Sequence, residues 1–144
     1  MTRQDPLRNL RFRVEIDNLQ VAGFSEVIIG ATTTTVIEYR EGNEPEHVRK
    51  LPGLHKFGNV TLKRGVTGSL ELYDWYRQVL NGQIAAARRR VVVVVADETG
   101  ADQARFVVQE AWPIKYEPSA LNAQGGEVFI ETLELANEGI ERVS

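Results

Sequence analysis

From Arg11 to Asp17 the chain alternates strictly, with Phe12, Val14 and Ile16 on one side and Arg11, Arg13, Glu15 and Asp17 on the other. That two-residue period predicts a half-buried first strand. "VAGFSEVIIG" continues with apolar residues spaced unevenly around Gly23 and Ser25, as in a strand interrupted by a bulge or turn. "ATTTTVIEYRE" is rich in β-branched residues. It places Thr33, Thr35, Ile37 and Tyr39 on one face and Thr32, Thr34, Val36, Glu38 and Arg40 on the other. Alternation resumes in "NVTLKRG" through Val60 and Leu62. Between these strands, Tyr39 to Asn59 shows no period and is expected to be a long connection, a kind of segment usually tied to function or disorder.

One helix is predicted, because Leu72, Trp75, Tyr76, Val79 and Leu80 fall at helical spacing and form one apolar stripe. Ser69 is its expected N-cap, Glu71 and Asp74 suit the positive end of its dipole, and Gly82 suits the turn after it. The remainder returns to strands, with turns expected at Thr99-Gly100 and Gly125-Gly126. Pro113 falls inside one strand pattern and predicts an edge position or a bulge. The sum is a mainly β fold: an antiparallel β-barrel or sandwich with one flanking α-helix and a long inter-strand loop.

Composition narrows this picture more than it adds to it. At 144 residues the chain fits one domain, 1–144, able to bury a sizeable core. It has no cysteine, which rules out disulfides, thiolate metal sites and thiol nucleophiles. The run "VVVVVA" is far shorter than the roughly 18 apolar residues of a membrane span, so the monomer is not expected to insert in a membrane. The first ten residues lack the apolar core of a signal peptide, and Sec-type export is not expected. A net charge of −3 gives no general attraction to nucleic acid.

Candidate chemistry is thin. His47 and His55, with Glu44 and Glu46 nearby, offer imidazole and carboxylate to a metal, but their spacing matches neither a helical pair nor a short-loop motif. "GFSEV" lacks the second glycine of a nucleophile elbow. Glu131 with Glu134, or Glu15 with Asp17, could be posed as acid/base pairs, yet alternation makes Glu15 and Asp17 a solvated strand face. "GVTGS", Gly65 to Ser69, is no phosphate loop. Arg88 to Arg90 lack the interleaved aromatics of a nucleic-acid site. They read better as gatekeepers beside "VVVVV", an uncharged run of high β propensity that is hazardous on an open edge. Such a run also implies cover on both faces, by the core on one side and by the helix or another subunit on the other.

The phrases "VAGFSEV", "VIEYREG", "HVRKLPGLHKFGNVTLKRGVT", "LYDWYRQVLNG", "AWPIKYE" and "EVFIETLELANEGIE" occur here in one order over nearly the whole length. In these phrases the chain resembles the phage T4-type tail tube protein family, which includes inner tubes of tailocins and phage-like contractile injection systems. The resemblance implies a structural protein, not an enzyme, with no cofactor. Its hexameric rings would stack into a hollow tube that conducts DNA or effectors, lined by hairpins from every subunit. The implied partners are further copies of itself, a contractile sheath, baseplate or initiator proteins, tube-terminating proteins and the cargo in the lumen. The implied location is the bacterial cytoplasm during assembly and then the virion tail or injection particle.

Carried onto this sequence, the resemblance implies subunit contacts by Tyr39, Arg40, Glu41, Gly42, Val48, Arg49, Lys50, Leu51, Pro52 and Gly53. Thr32 and Thr34 are candidates for a hydrated lumen wall. The rival expectation is a small-ligand or enzymatic β-barrel in which residues 39–59 form a lid.

Overall fold

A computed structural model describes residues 11–19, 23–43, 46–66, 70–119 and 129–144. The strict alternation at the start becomes β1 (Arg11–Ile16), with Val14 and Ile16 buried and the charged residues exposed. It is followed by β2 (Phe24–Ile29), β3 (Thr32–Tyr39), β4 (Arg49–Phe57) and β5 (Val60–Gly65). Then come helices α1 (Glu71–Leu80) and α2 (Ile84–Ala87), and strands β6 (Arg89–Ala96), β7 (Asp102–Pro118), β8 (Ile130–Ala136) and β9 (Gly139–Arg142). All strand pairs are antiparallel, in the order β1-β6-β7-β8-β5-β2, with β9 added on β7. β3 and β4 form a separate two-stranded sheet.

The mainly β expectation holds, and the form is an open sandwich rather than a closed barrel. One long strand makes this possible. The first half of β7 pairs with β6 and β9, whereas its second half pairs with β8. The change of partner falls where Glu110 adopts φ 51 and the register against β6 slips between Arg89 and Val91. A second slip lies at Pro113, which is fully buried, so the proline does mark a bulge. The inner faces contribute Val14, Val60, Leu62, Val91, Val93, Val108, Leu133 and Leu135 to one core.

The valine run is central, between β1 and β7, and not at an edge. Its inward members Val91 and Val93 join the core, as expected. Its outward members are covered in a different way from the one expected. Val92 and Val94 lie opposite Glu15 and Arg13 on β1, and Val94 lies opposite Arg105 on β7. Arg13 bridges to Asp102 at 3.0 Å and to Glu15 at 3.2 Å, and Arg105 reaches Glu15 at 3.7 Å. The alkyl stems of this charge lattice shield the valines while the charged ends stay wet. The helix α1 rests on β7.

α1 buries Leu72 and Trp75, and the Trp75 indole N–H donates to the Ala87 carbonyl at 2.6 Å, tying α1 to the short α2 that the sequence did not announce. Leu80, the last member of the predicted stripe, is exposed. The N-cap position falls on Leu70 without a side-chain bond, and Ser69 lies outside the described residues. The turn at Thr99-Gly100 is present: Gly100 takes φ 88, and the Asp97 carboxylate accepts from the N–H groups of Thr99 and Ala101. The Gly125-Gly126 turn lies outside the described residues.

Candidate assembly surface

Residues 39–59 are not a loop throughout. Arg49–Phe57 form β4, which pairs with β3 from Thr32↔Phe57 to Tyr39↔Arg49. The β2–β5 ladder ends at Ile29↔Val60, and the backbone bonds Gly30 N–H to Asn59 O (2.9 Å) and Gly58 N–H to Ala31 O (2.8 Å) continue it. β2–β3 and β4–β5 thus form one long hairpin with a joint at its middle. The joint needs glycine. A Cβ on Gly30 would stand 2.6 Å from the Asn59 carbonyl oxygen, and one on Gly58 would stand 2.8 Å from the Ala31 nitrogen. Asn137 braces the joint by donating its side-chain amide to the Gly58 carbonyl at 2.9 Å.

Beyond the joint the hairpin leaves the body. Every residue of β3 is exposed, and in β4 only Gly53 and Phe57 are partly covered. Leu54 is 81% exposed, Val36 58% and Ile37 52%. A two-stranded hairpin with neither face packed is marginal by itself in water. Local bonds hold its register: Thr35 Oγ1 accepts from the Leu54 N–H at 2.8 Å, and Thr34 Oγ1 meets His55 Nδ1 at 2.9 Å. Gly53 is needed beside Thr35, whose Oγ1 would lie 2.5 Å from an added Cβ.

The ladder slips between Thr34 and Val36, where β4 carries an extra residue. That bulge turns Leu51 and Leu54 to the same face although they are three apart. Leu51, Leu54 and Ile37 therefore make an apolar strip on the Thr33–Thr35 side, and Thr32, Thr34 and His55 share the opposite side. The contact candidates occupy three places: Tyr39 closes β3, Arg40, Glu41, Gly42 and Val48 belong to the tip, and Arg49, Lys50, Leu51, Pro52 and Gly53 open β4. Glu44 lies outside the described residues. His47 is at the tip and His55 lies opposite Thr34 near the base, so the strand separates the two imidazoles. No group of metal-ligating side chains occurs among the described residues.

The posed carboxylate pairs separate as well. Glu131 is buried, whereas Glu134 faces outward and accepts from Asn59 at 3.0 Å. Glu15 and Asp17 are both exposed, in keeping with a solvated strand face. Glu131 takes part in a network not anticipated from the sequence. Arg64 Nη2 donates to Glu131 Oε1 at 2.7 Å, Tyr116 donates its hydroxyl to Oε2 at 2.6 Å, and Tyr73 of α1 packs edge-on against Tyr116. Its signal lies in the period, since Arg64 follows Val60 and Leu62 and Glu131 precedes Leu133 and Leu135 on inward positions of paired strands.

Burial and the bond to Glu131 push the Tyr116 hydroxyl up to about 12. A raised folded-state value contributes stability that is complete below the unfolded value and fades as pH climbs from 10 toward 12. The stability difference between the native chain and Tyr116→Phe should therefore shrink when urea unfolding is repeated at about pH 11.5 instead of about pH 9. A constant difference would mean that the hydroxyl proton is not held by the fold.

The molecule is thus a sandwich that holds out a hairpin beyond a glycine joint, with apolar side chains exposed along it. The family description "T4-like virus tail tube protein gp19" matches residues 8–141. The chain belongs to that family, and its role is that of a structural tube subunit. Its fold is shared with a chain of the anti-feeding prophage tube-terminating cap, at TM-score 0.86 and 23% identity over 99% of this chain and 93% of that one. A chain of the PVC extracellular contractile injection system sheath–tube complex gives TM-score 0.83 and 22% identity over 95% and 90%. Hcp1 from Flavobacterium johnsoniae gives TM-score 0.56 and 13% identity over 92% and 94%. No curated protein matches in sequence.

Proposed function

We propose that the chain forms hexameric rings that stack head to tail into a hollow tube, and that it acts without catalysis. The observation that carries this reading is the β3–β4 hairpin, whose faces are both exposed and whose apolar strip has no cover among the described residues. Tyr39, Arg40, Glu41, Gly42, Val48, Arg49, Lys50, Leu51, Pro52 and Gly53 supply the contacts to neighbouring subunits. Thr32 and Thr34 line the lumen, where small hydroxyls keep the wall hydrated. Closing sheets across subunits also removes the open edges that β1 and β2 present in the monomer.

The partners in this reading are a contractile sheath around the tube, baseplate or initiator proteins at one end, a terminating protein at the other, and DNA or effectors in the lumen. Assembly takes place in the bacterial cytoplasm, after which the subunit is part of a virion tail or an injection particle. A lid role for residues 39–59 finds no support in the cavity beside Arg88–Arg90 or in the one between Phe12 and Val95, since none of these residues lines either. Negative-stain electron microscopy of the concentrated protein, alone and with its baseplate partners, tests the proposal. Rings and tubes are expected. A strictly monomeric protein under both conditions would overturn it.

A further inference from the structure

Arg88, Arg89 and Arg90 line a cavity of about 510 Å³ together with Asp17, Gln78 and Glu110, where α2 passes into β6 and β7 kinks. Two of the three arginines have counter-charges. Arg88 pairs with Glu138 at 2.6 Å, and Arg90 reaches Asp17 at only 3.8 Å. Arg89 forms no direct ion pair among the described residues, although the charge of Asp17 acts on it. Its guanidinium lies 5.8 Å from the centre of the Trp75 ring and donates to the Asp17 carbonyl at 2.8 Å and to Gln78 at 3.3 Å. Both acceptors are neutral, and its buried Nε has no acceptor among the described residues. Partial burial lowers the proton affinity of that guanidinium, and the nearby Asp17 offsets this only in part.

The complementary charge lies at the other end of the same strand. β6 runs eight residues from Arg89 to Ala96, about 26 Å at ~3.3 Å per residue. It then enters a turn that begins Asp97-Glu98, with Glu98 exposed. A polymer of identical copies joined head to tail brings two different patches of one chain together at every junction. Each copy carries a net charge of −3, so stacked copies repel on average and need local sorting of charge to meet. A strand positive at its start and negative at its end supplies that sorting.

Resting on the tube reading, we propose that the Arg88–Arg90 cavity receives the Asp97–Glu98 turn of a second copy in the adjoining ring. Glu98 then adds a further carboxylate near Arg89 and Arg90, and the contact weakens with salt.

The chain has no cysteine, which allows a direct test. Ala86 at the cavity and Ala101 at the turn are both exposed. A chain carrying Ala86→Cys and Ala101→Cys should give a ladder of disulfide-linked multimers on mild oxidation, while each single variant should give dimers at most. In parallel, Arg90→Glu and Glu98→Arg should each lower the yield of stacked rings about tenfold or more at low salt. The two changes combined in one chain should restore stacking. Circular dichroism of each variant confirms the folded monomer. If the native chain stacks but the double-cysteine chain gives no ladder and the charge variants stack as well as the native, the proposed contact is overturned and the tube reading stands. If the native chain forms no stacked rings at all, both fall together.

Discussion

Replacing Glu131 by leucine lowers the unfolding free energy by about 3–5 kcal/mol, because it leaves the Arg64 guanidinium buried without its charge partner. Arg64 and Glu131 are each only 3% exposed, so water cannot take the place of the lost carboxylate. The Tyr116 hydroxyl loses its acceptor in the same step. Urea unfolding followed by tryptophan fluorescence measures the loss. The paired change Arg64→Met with Glu131→Leu removes both charges and should recover most of it, since well-packed apolar replacements of a buried pair are often neutral or stabilising. A single variant as stable as the native chain would show that the pair is reached by water and does not cross-link β5 to β8.

The second large effect concerns assembly and leaves folding alone. Leu54→Asp places a charge where the side chain is already 81% exposed, so the monomer should keep its stability within about 0.5 kcal/mol. In an assembled tube the same carboxylate would be buried against a neighbour's apolar surface, a cost of several kcal/mol at every junction. Sedimentation velocity should show the loss of every species above the ring or the monomer. Deleting Glu44 to Lys50, or making Arg49→Glu, should act in the same direction by removing or inverting the tip. Unfolding of these variants would instead assign the hairpin to the folding core. Full tube formation by Leu54→Asp would place the apolar strip outside the contact.

The two effects fall on the two halves of one long hairpin, and the halves differ in how much of them the sequence discloses. β5 was plain, because Val60 and Leu62 alternate and the partner β8 alternates too. The same period, followed two residues further, puts Arg64 and Glu131 inside. That was legible but was hidden by the habit of assigning charges to the solvent. β4 was not legible. Its bulge moves Leu51 and Leu54 onto one face at an odd spacing, and Pro52 and Gly53 imitate a turn, so a period search finds nothing there. The Arg88–Arg90 cavity was equally hidden. Three adjacent arginines on a strand read as solvated gatekeepers until the fold sets Arg89 against Trp75 and Gln78 of α1.

By itself, the sequence determined the local matters: which segments alternate with period two, where one helix lies, that Asp97 to Gly100 turn back, and, through its motif series, the family. Those properties depend on neighbours in the chain. The tertiary structure alone decided that β7 serves two sheets, that charged stems roof the outward valines, and that a buried ion pair links β5 to β8. It also decided that the segment after Tyr39 returns as a strand. Each of these depends on residues far apart in sequence, whose meeting is set by register and by the bulges that shift it.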